Sequence, residues 1–353
     1  MAELRIETRG AAQTPTPQPA ERPMDQELYK DFKVYMTARA GEIFDKAINR
    51  LYGEVSMAYT GRVGSLAKPR VEFDMRRMDA TAEYRDYPEN GTDAPPEHII
   101  FCRPAYDIFE EMAKTSDKDY RSSLALVLDT VIGHELGHEL VDNAISLTGA
   151  GEFPDNSINA LASNYDVMGI RRLMESMAEL IGVYASQAAN NHGTDSREIA
   201  RIMLENRARE AGGYALLARM LAKGKTADEL GLSQADIDAL VEGAAESIAI
   251  YNYPELGMAS ALADMANETL AAFIKEVLSG CMTMHGQIGR YVLGEGGDLT
   301  GVQEALGART WNRDGTLNVQ PAANDAELKA RYEAMAKYFS DIAERARDAL
   351  GRI

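Results

Sequence analysis

The stretch Val131-Ile132-Gly133-His134-Glu135-Leu136-Gly137-His138 holds two histidines four residues apart, with a glutamate directly after the first. The pattern from about residue 121 to residue 147 predicts an α-helix around it. Side chains four positions apart on a helix point within roughly 40° of each other, so both imidazoles can reach one ion. Glu135 then lies near the open coordination position, where a carboxylate can deprotonate a bound water. The motif therefore predicts a metal site with a candidate general base.

The chain has five histidines, so this motif is expected by chance on the order of once in a hundred sequences of this length. Two alternatives stay open at this point. The histidines could be hydrogen-bonded core residues of a buried helix, or they could hold a metal that no longer performs chemistry. Glu135 favours hydrolysis, because a scaffold without activity does not need that carboxylate.

A catalytic zinc ion usually takes three protein ligands, so a third ligand has to come from elsewhere in the chain. The metzincin spacing requires glycine at position 141 and histidine at position 144, but these residues are Val141 and Ala144. The remaining histidines stand at no recognisable ligand spacing: His98, His192 and His285.

The next predicted helix, from about residue 167 to residue 189, carries Glu175 and Glu179 on one face. Beside them, Ala178 and Gly182 would let two helices approach closely. One carboxylate could bind the metal while the other accepts a ring N–H from a ligand histidine and fixes its tautomer. Helix geometry alone lets either glutamate reach the ion.

The motif HExxH followed by ExxxE resembles the gluzincin branch of the zincin metallopeptidases, whose pattern is HExxH and then ExxxD or ExxAD. The resemblance implies that His134 and His138 bind Zn²⁺, that Glu135 is the general base and that Glu175 is the third ligand. Glu179 stands where the family commonly has an aspartate that supports a ligand, and its side chain is one carbon longer.

The longer string His134-Glu135-Leu136-Gly137-His138-Glu139-Leu140-Val141-Asp142 is also similar to a group of uncharacterised bacterial metallopeptidases. The preceding segments Ala82-Glu83-Tyr84 and Ile99-Ile100-Phe101-Cys102 are similar to that group as well. This resemblance covers roughly residues 80–185. It implies peptide-bond hydrolysis by a zinc-activated water, with a peptide or protein as substrate. It also implies that the strand before the zinc helix forms the cleft wall, where its free edge binds an extended peptide. The alternative is a catalytically inactive zincin scaffold that acts as a binding or effector module.

Other candidate site residues rest on weaker signals. Asp142 follows His138 by four residues and is either an exposed helix carboxylate or a support for the metal site. Enzymes of this type usually add a donor that stabilises the developing oxyanion. The candidates for that donor have no diagnostic spacing: His285, Tyr251, Tyr253, Arg290 and Tyr291.

The predicted fold class is α+β and mostly helical, with a zincin-like catalytic domain that combines a small sheet with the HExxH helix. Residues 1–23 are rich in proline and threonine and predict a flexible leader. We expect the catalytic domain at 24–193, with strands near 71–75 and 98–102 and a first helix that Asp25 caps and that ends near Tyr52. Further helices are predicted at about 196–222, 233–250, 258–280 and 325–350, and residues 312–323 are predicted to form a loop. A helical C-terminal region at 194–353 would complete the cleft.

The 37 basic and 55 acidic residues give a net charge of −18, which disfavours binding to nucleic acid or to anionic membranes. We find neither a secretory signal nor an apolar run of about 18 residues, so we expect a cytoplasmic protein without a membrane span. Two cysteines allow at most one intrachain disulfide. The sequence leaves the oligomeric state open.

Overall fold

The computed structural model describes residues 24–77, 80–85, 98–149, 167–233, 237, 252–264, 269–283, 308–311, 317–319 and 322–353. The predicted leader lies outside these residues. The helices are α1 (Gln26–Ile43), α2 (Asn49–Thr60), α3 (Arg103–Lys114), α4 (Lys118–Gly149), α5 (Val167–Ala189), α6 (Ser196–Ala222), α7 (Ala227–Leu230), α8 (Asn252–Asp264), α9 (Leu270–Thr283) and α10 (Asp325–Leu350). The strands are β1 (Arg70–Asp74), β2 (Ala82–Arg85), β3 (His98–Cys102), β4 (Ala308–Trp311) and β5 (Leu317–Val319).

The mostly helical α+β class with a small sheet is confirmed. Several predicted helices have the observed bounds, because their apolar periodicity and caps agree: α5, α6 and α10. The predicted helix at 258–280 instead covers parts of α8 and α9. The predicted division of the chain at residue 193 stays a prediction.

The N-terminal helix starts where the sequence predicts and ends later. The Asp25 carboxylate accepts hydrogen bonds from the main-chain N–H groups of Glu27 and Leu28, which caps α1. A π-helical turn at Phe44–Ile48 joins α1 to α2. The helix continues past the predicted end at Tyr52 and stops at Gly61, whose φ of 70° suits glycine.

A three-stranded sheet lies beside the helices, in the order β1-β3-β2. Strand β3 pairs in parallel with β1 and antiparallel with β2. The expectation that the strand before the zinc helix offers a free edge is therefore wrong, because β3 is paired on both sides. Among the described strands, β2 is the edge strand next to α4.

Helices α4 and α5 run antiparallel and approach closely, as the small residues on α5 predict. A Cβ atom built on Gly133 would lie 2.9 Å from the main-chain oxygen of Gly182. One built on Gly137 would lie 3.0 Å from the Cα of Ala178. Since real Cβ atoms do not approach neighbours at 2.9 Å, the distance between these helices depends on the absence of side chains along the seam.

Two parts of the fold were not predicted. Helix α3 begins directly after β3 with Pro104 in its first turn, a position that proline favours. The segment 312–323 was predicted as a loop, but Leu317–Val319 forms β5, paired with β4. These strands have only four and three residues, so periodicity gives little signal there.

The larger hydrophobic core lies between α1, α2, the sheet, α3, α4 and α5, and it extends to α6, α8 and α9. A smaller core lies mainly between α6 and α10. Within the described part of the chain, no helix has the length and apolar content needed to cross a bilayer.

Candidate metal centre

The structure brings together the three predicted metal ligands, His134, His138 and Glu175. The Nε2 atoms of His134 and His138 lie 3.2 Å apart. One carboxylate oxygen of Glu175, Oε2, lies 3.3 Å from the first nitrogen and 3.6 Å from the second. Two turns of α4 and one position of α5 thus present three donor atoms to a common point, and the close packing of the two helices makes this possible. Among the described residues, this is the group of His, Cys, Asp and Glu side chains close enough to share one ion.

Glu179 occupies the supporting place beside this cluster. Its Oε2 lies 3.3 Å from Nδ1 of His134, on the side of the ring away from Glu175. A carboxylate there accepts the Nδ1 proton, so Nε2 of the neutral ring keeps its lone pair for an ion. Glu175 thus lies beside both Nε2 atoms and Glu179 beside Nδ1 of His134, in the order that the resemblance implied.

The charges of the cluster are mutually dependent. Burial raises the pKa of Glu175, but His138 and His134 outweigh burial and hold it well below its ordinary value. Burial likewise raises the pKa of Glu179, but the hydrogen bond to His134 and the charges of His134 and Arg207 bring it below its ordinary value. Both glutamates are therefore carboxylates at neutral pH, which is the form that binds a metal or accepts a proton from a ligand.

Glu135 is placed differently from the other two acids. Glu135 is 8% exposed, and burial is the main reason that the pKa of its carboxyl is raised. The neighbouring imidazoles of His134 and His138 and the main-chain N–H of Tyr84 oppose that rise. A buried carboxyl with a raised pKa is a stronger proton acceptor than an exposed one, because its pKa lies nearer to neutral pH.

Tyr84 on β2 completes the wall of the cluster. Its ring lies almost parallel to the imidazole of His138, with ring centroids 6.5 Å apart and an interplanar angle of 17°. In the sequence, Ala82-Glu83-Tyr84 indicated only a resemblance to other metallopeptidases, and Tyr84 was given no role at the site. Its contact depends on how the sheet packs on α4, which no local pattern reports.

A partly buried ion pair joins α1 and α4 to the C-terminal end of α5. The guanidinium of Arg39 on α1 donates to both oxygens of Asp129 on α4, at 2.7 Å each. It also donates to the side-chain oxygen of Asn190, which directly follows α5, at 2.8 Å. The Asn190 side-chain amide in turn donates to Asp129 at 2.9 Å. These bonds join α1, α4 and the residue after α5 at a point on α4 about one and a half turns before His134.

The remaining predicted site residues are not brought into the cluster by the described structure. Asp142 is half-buried on α4, one turn after His138, and its supporting role stays a prediction. Tyr253 belongs to α8, but its side chain is not among those that the structure describes. The other proposed oxyanion donors lie outside the described residues: Tyr251, His285, Arg290 and Tyr291.

Sequence reasoning missed Arg207 as well as the Arg39 network. Arg207 lies on α6, is 7% exposed, and pairs with Glu210 at 3.2 Å while its charge acts on Glu179. A buried arginine in an amphipathic helix has no sequence signature of its own.

In comparisons with family models, curated proteins and solved structures, no match to this chain is found.

Proposed function

We propose that this protein is a zinc-dependent metallopeptidase of the zincin type. The observation that carries the proposal is the convergence of two imidazole nitrogens and one carboxylate oxygen at mutual distances of 3.2, 3.3 and 3.6 Å. Ligand bonds of about 2.0–2.2 Å in a tetrahedron place neighbouring donor atoms about 3.3–3.6 Å apart. The three donors therefore fit a tetrahedral ion that keeps its fourth position open.

The donor set also supports zinc over the hard cations. Ca²⁺ and Mg²⁺ bind through oxygen ligands, whereas two of the three donors here are nitrogens. An octahedral ion with bonds near 2.1 Å would bring neighbouring donors to about 3.0 Å, which is shorter than the observed distances. Two histidines and one carboxylate also suit non-haem iron, so metal analysis has to separate iron from zinc.

The proposed chemistry places one task on each residue of the cluster. When bound, zinc would polarise the scissile carbonyl and lower the pKa of a coordinated water to about 7. Glu135 accepts the proton of the attacking water and passes it to the leaving amine. Glu179 holds the His134 ring in the tautomer that presents Nε2 to the ion.

The edge strand β2 supports a peptide as the substrate. It runs beside α4, and Tyr84 places it against His138. An extended peptide that pairs with the outer edge of β2 would bring a main-chain carbonyl next to the proposed metal position. We therefore propose an extended segment of a peptide or protein as the substrate.

Metal analysis of the purified protein, followed by a peptide-library cleavage assay, tests the proposal. We expect one zinc per chain and cleavage that a chelator abolishes. Glu135→Gln should keep zinc and fold and lose most of the activity, because it keeps the shape but removes the proton acceptor. Glu333→Gln, on the exposed side of α10, is the matched control and should cleave normally.

Iron at one equivalent per chain, or less than a tenth of an equivalent of zinc in protein purified without chelator, would contradict the proposal. Near wild-type cleavage by Glu135→Gln would contradict the mechanism. If zinc-loaded protein binds peptides but cleaves none in a broad library, the inactive scaffold becomes the better description.

A further inference from the structure

The main-chain groups of β2 alternate between two directions. The N–H of Cys102 donates to the main-chain oxygen of Thr81 at 3.0 Å, so these two residues face each other as a hydrogen-bonded pair. In an antiparallel ladder, hydrogen-bonded pairs alternate with pairs whose N–H and C=O groups point away from each other. Ala82, opposite Phe101, is one position along from Thr81, and Tyr84, opposite Ile99, is three positions along. Both are odd steps from a hydrogen-bonded pair, so both residues belong to the other kind of pair. The main-chain N–H groups of Ala82 and Tyr84 therefore point away from β3.

On its outward side, the N–H of Tyr84 meets the carboxylate of Glu135, which accepts its hydrogen bond. The ring of the same residue contacts His138, one helical turn further along α4. Strand β2 is thus held against the zinc helix at two neighbouring positions. One of these contacts is made by a side chain, and the other is made by the main chain.

We infer that the main-chain N–H of Tyr84 is a positioning group for Glu135. This inference rests on the proposed function. A glutamate on a helix has three rotatable side-chain bonds, so burial alone leaves its carboxylate several orientations. A charge-assisted hydrogen bond from a strand fixes one carboxylate oxygen and leaves the other to accept a proton from water. The donor comes from the sheet, so the distance between β2 and α4 sets the orientation of the base.

Because the donor belongs to the main chain, a side-chain change at position 84 keeps it. Tyr84→Leu removes the ring contact with His138 and retains the N–H. Tyr84→Pro removes the N–H, and it costs no bond to β3 because that N–H points outward. Ala82→Pro is the comparison variant: it removes another outward N–H of the same strand, one that the proposed function offers to the peptide, and leaves the bond to Glu135 in place.

The first measurement is independent of catalysis. Amide hydrogen exchange at Tyr84, followed by NMR on tyrosine-labelled protein, should be slow in the wild type and at least tenfold faster in Glu135→Ala. Exchange elsewhere in the chain, at Tyr106 for example, should not change. Equal exchange at Tyr84 in the two proteins would show that Glu135 does not accept this bond, whether or not the protein is a peptidase.

The second measurement uses a peptide that the zinc-loaded wild type cleaves. Tyr84→Pro should lower kcat by about 10- to 100-fold while KM and the zinc dissociation constant stay within about threefold. Ala82→Pro should raise KM and change kcat by less than about threefold, because it removes a peptide contact and not the bond to Glu135. Unchanged kcat in Tyr84→Pro, or an equal loss in Ala82→Pro, would overturn the inference.

If Tyr84→Pro fails to fold, replacing the amide at residue 84 by an ester keeps the side chain and removes only the N–H. The ester protein should show the same loss of kcat, and an ester protein with normal kcat overturns the inference. A wild type that cleaves nothing would overturn the proposed function instead, and the exchange measurement would still decide the hydrogen bond.

Discussion

Replacing Gly182 by alanine should weaken zinc binding without unfolding the protein. A Cβ atom at this position would lie 2.9 Å from the main-chain nitrogen of His134 and 3.0 Å from the main-chain oxygen of Thr130. Carbon atoms in contact are normally about 3.5–4.0 Å apart. Helices α4 and α5 would have to separate locally by about 0.5–1 Å beside His134, the first of the proposed metal ligands.

Two effects on stability oppose each other in this variant. Overpacking a close contact costs about 1–3 kcal/mol. Alanine in place of glycine inside a helix contributes about 1 kcal/mol in the other direction. We therefore expect a net loss of about 0–2 kcal/mol in the free energy of unfolding.

The effect on the metal site should be larger than the effect on stability. Glu175 lies on α5 and His134 and His138 lie on α4, so separating the helices lengthens the 3.3 and 3.6 Å distances to values near 4 Å. Metal–ligand bonds tolerate only about 0.2 Å of change. We expect a zinc dissociation constant at least tenfold higher than that of the wild type.

Urea denaturation of the apo protein and competition titration with a zinc chelator measure the two quantities separately. Gly213→Ala is the matched control, because Gly213 lies inside helix α6 and a Cβ atom added there would have no neighbouring atom within 4 Å. The control should be more stable by about 0.5–1 kcal/mol and bind zinc normally. Wild-type zinc affinity in Gly182→Ala would refute the reasoning that links helix spacing to the site.

The remaining predictions concern the ligands, the metal and the buried ion pair. Glu175→Ala should nearly abolish zinc binding, whereas Glu179→Ala should raise the dissociation constant by about 10- to 100-fold; a reversed order in a chelator titration would contradict the assignment. Zinc at a hundred times its dissociation constant should stabilise the fold by about 2.7 kcal/mol and raise Tm in a thermal scan, and an unchanged Tm would argue against binding to the native state. Arg39→Ala leaves the buried Asp129 without its charged partner, although the Asn190 amide still donates to it, and should lower the free energy of unfolding in urea by about 3–5 kcal/mol. A loss below 1 kcal/mol would contradict that role.

Much of the helical architecture could be predicted from the sequence. The bounds of α5, α6 and α10 follow from apolar periodicity with a cap or a glycine at an end, and the placement of His134 and His138 on one helix follows from their spacing. Sequence reasoning also placed Glu175 and Glu179 on one face of α5. These are properties of a single helix, so local rules suffice.

The missed contacts all join segments that are distant in the chain. The Arg39 network, the position of Tyr84 beside His138 and the charge of Arg207 near Glu179 depend on how elements pack, which residue spacing does not encode. Helix geometry alone left the choice between Glu175 and Glu179 open for the same reason, because it depends on the rotation of α5 against α4, and only the resemblance favoured Glu175 as the ligand. The free edge was assigned to the wrong strand since strand order is a property of the sheet.

The Arg39 network sets a delay on folding during synthesis. The guanidinium leaves the ribosome 90 residues ahead of Asp129 and 151 residues ahead of Asn190. At about 5–20 residues per second, roughly 8–30 s pass before the last partner of Arg39 has been made. Throughout that interval the apolar face of α1, with Phe32 and Met36 at its centre, has no completed core to enter. Burial of this face is therefore completed only after α4 and α5 have been made, long after α1 itself.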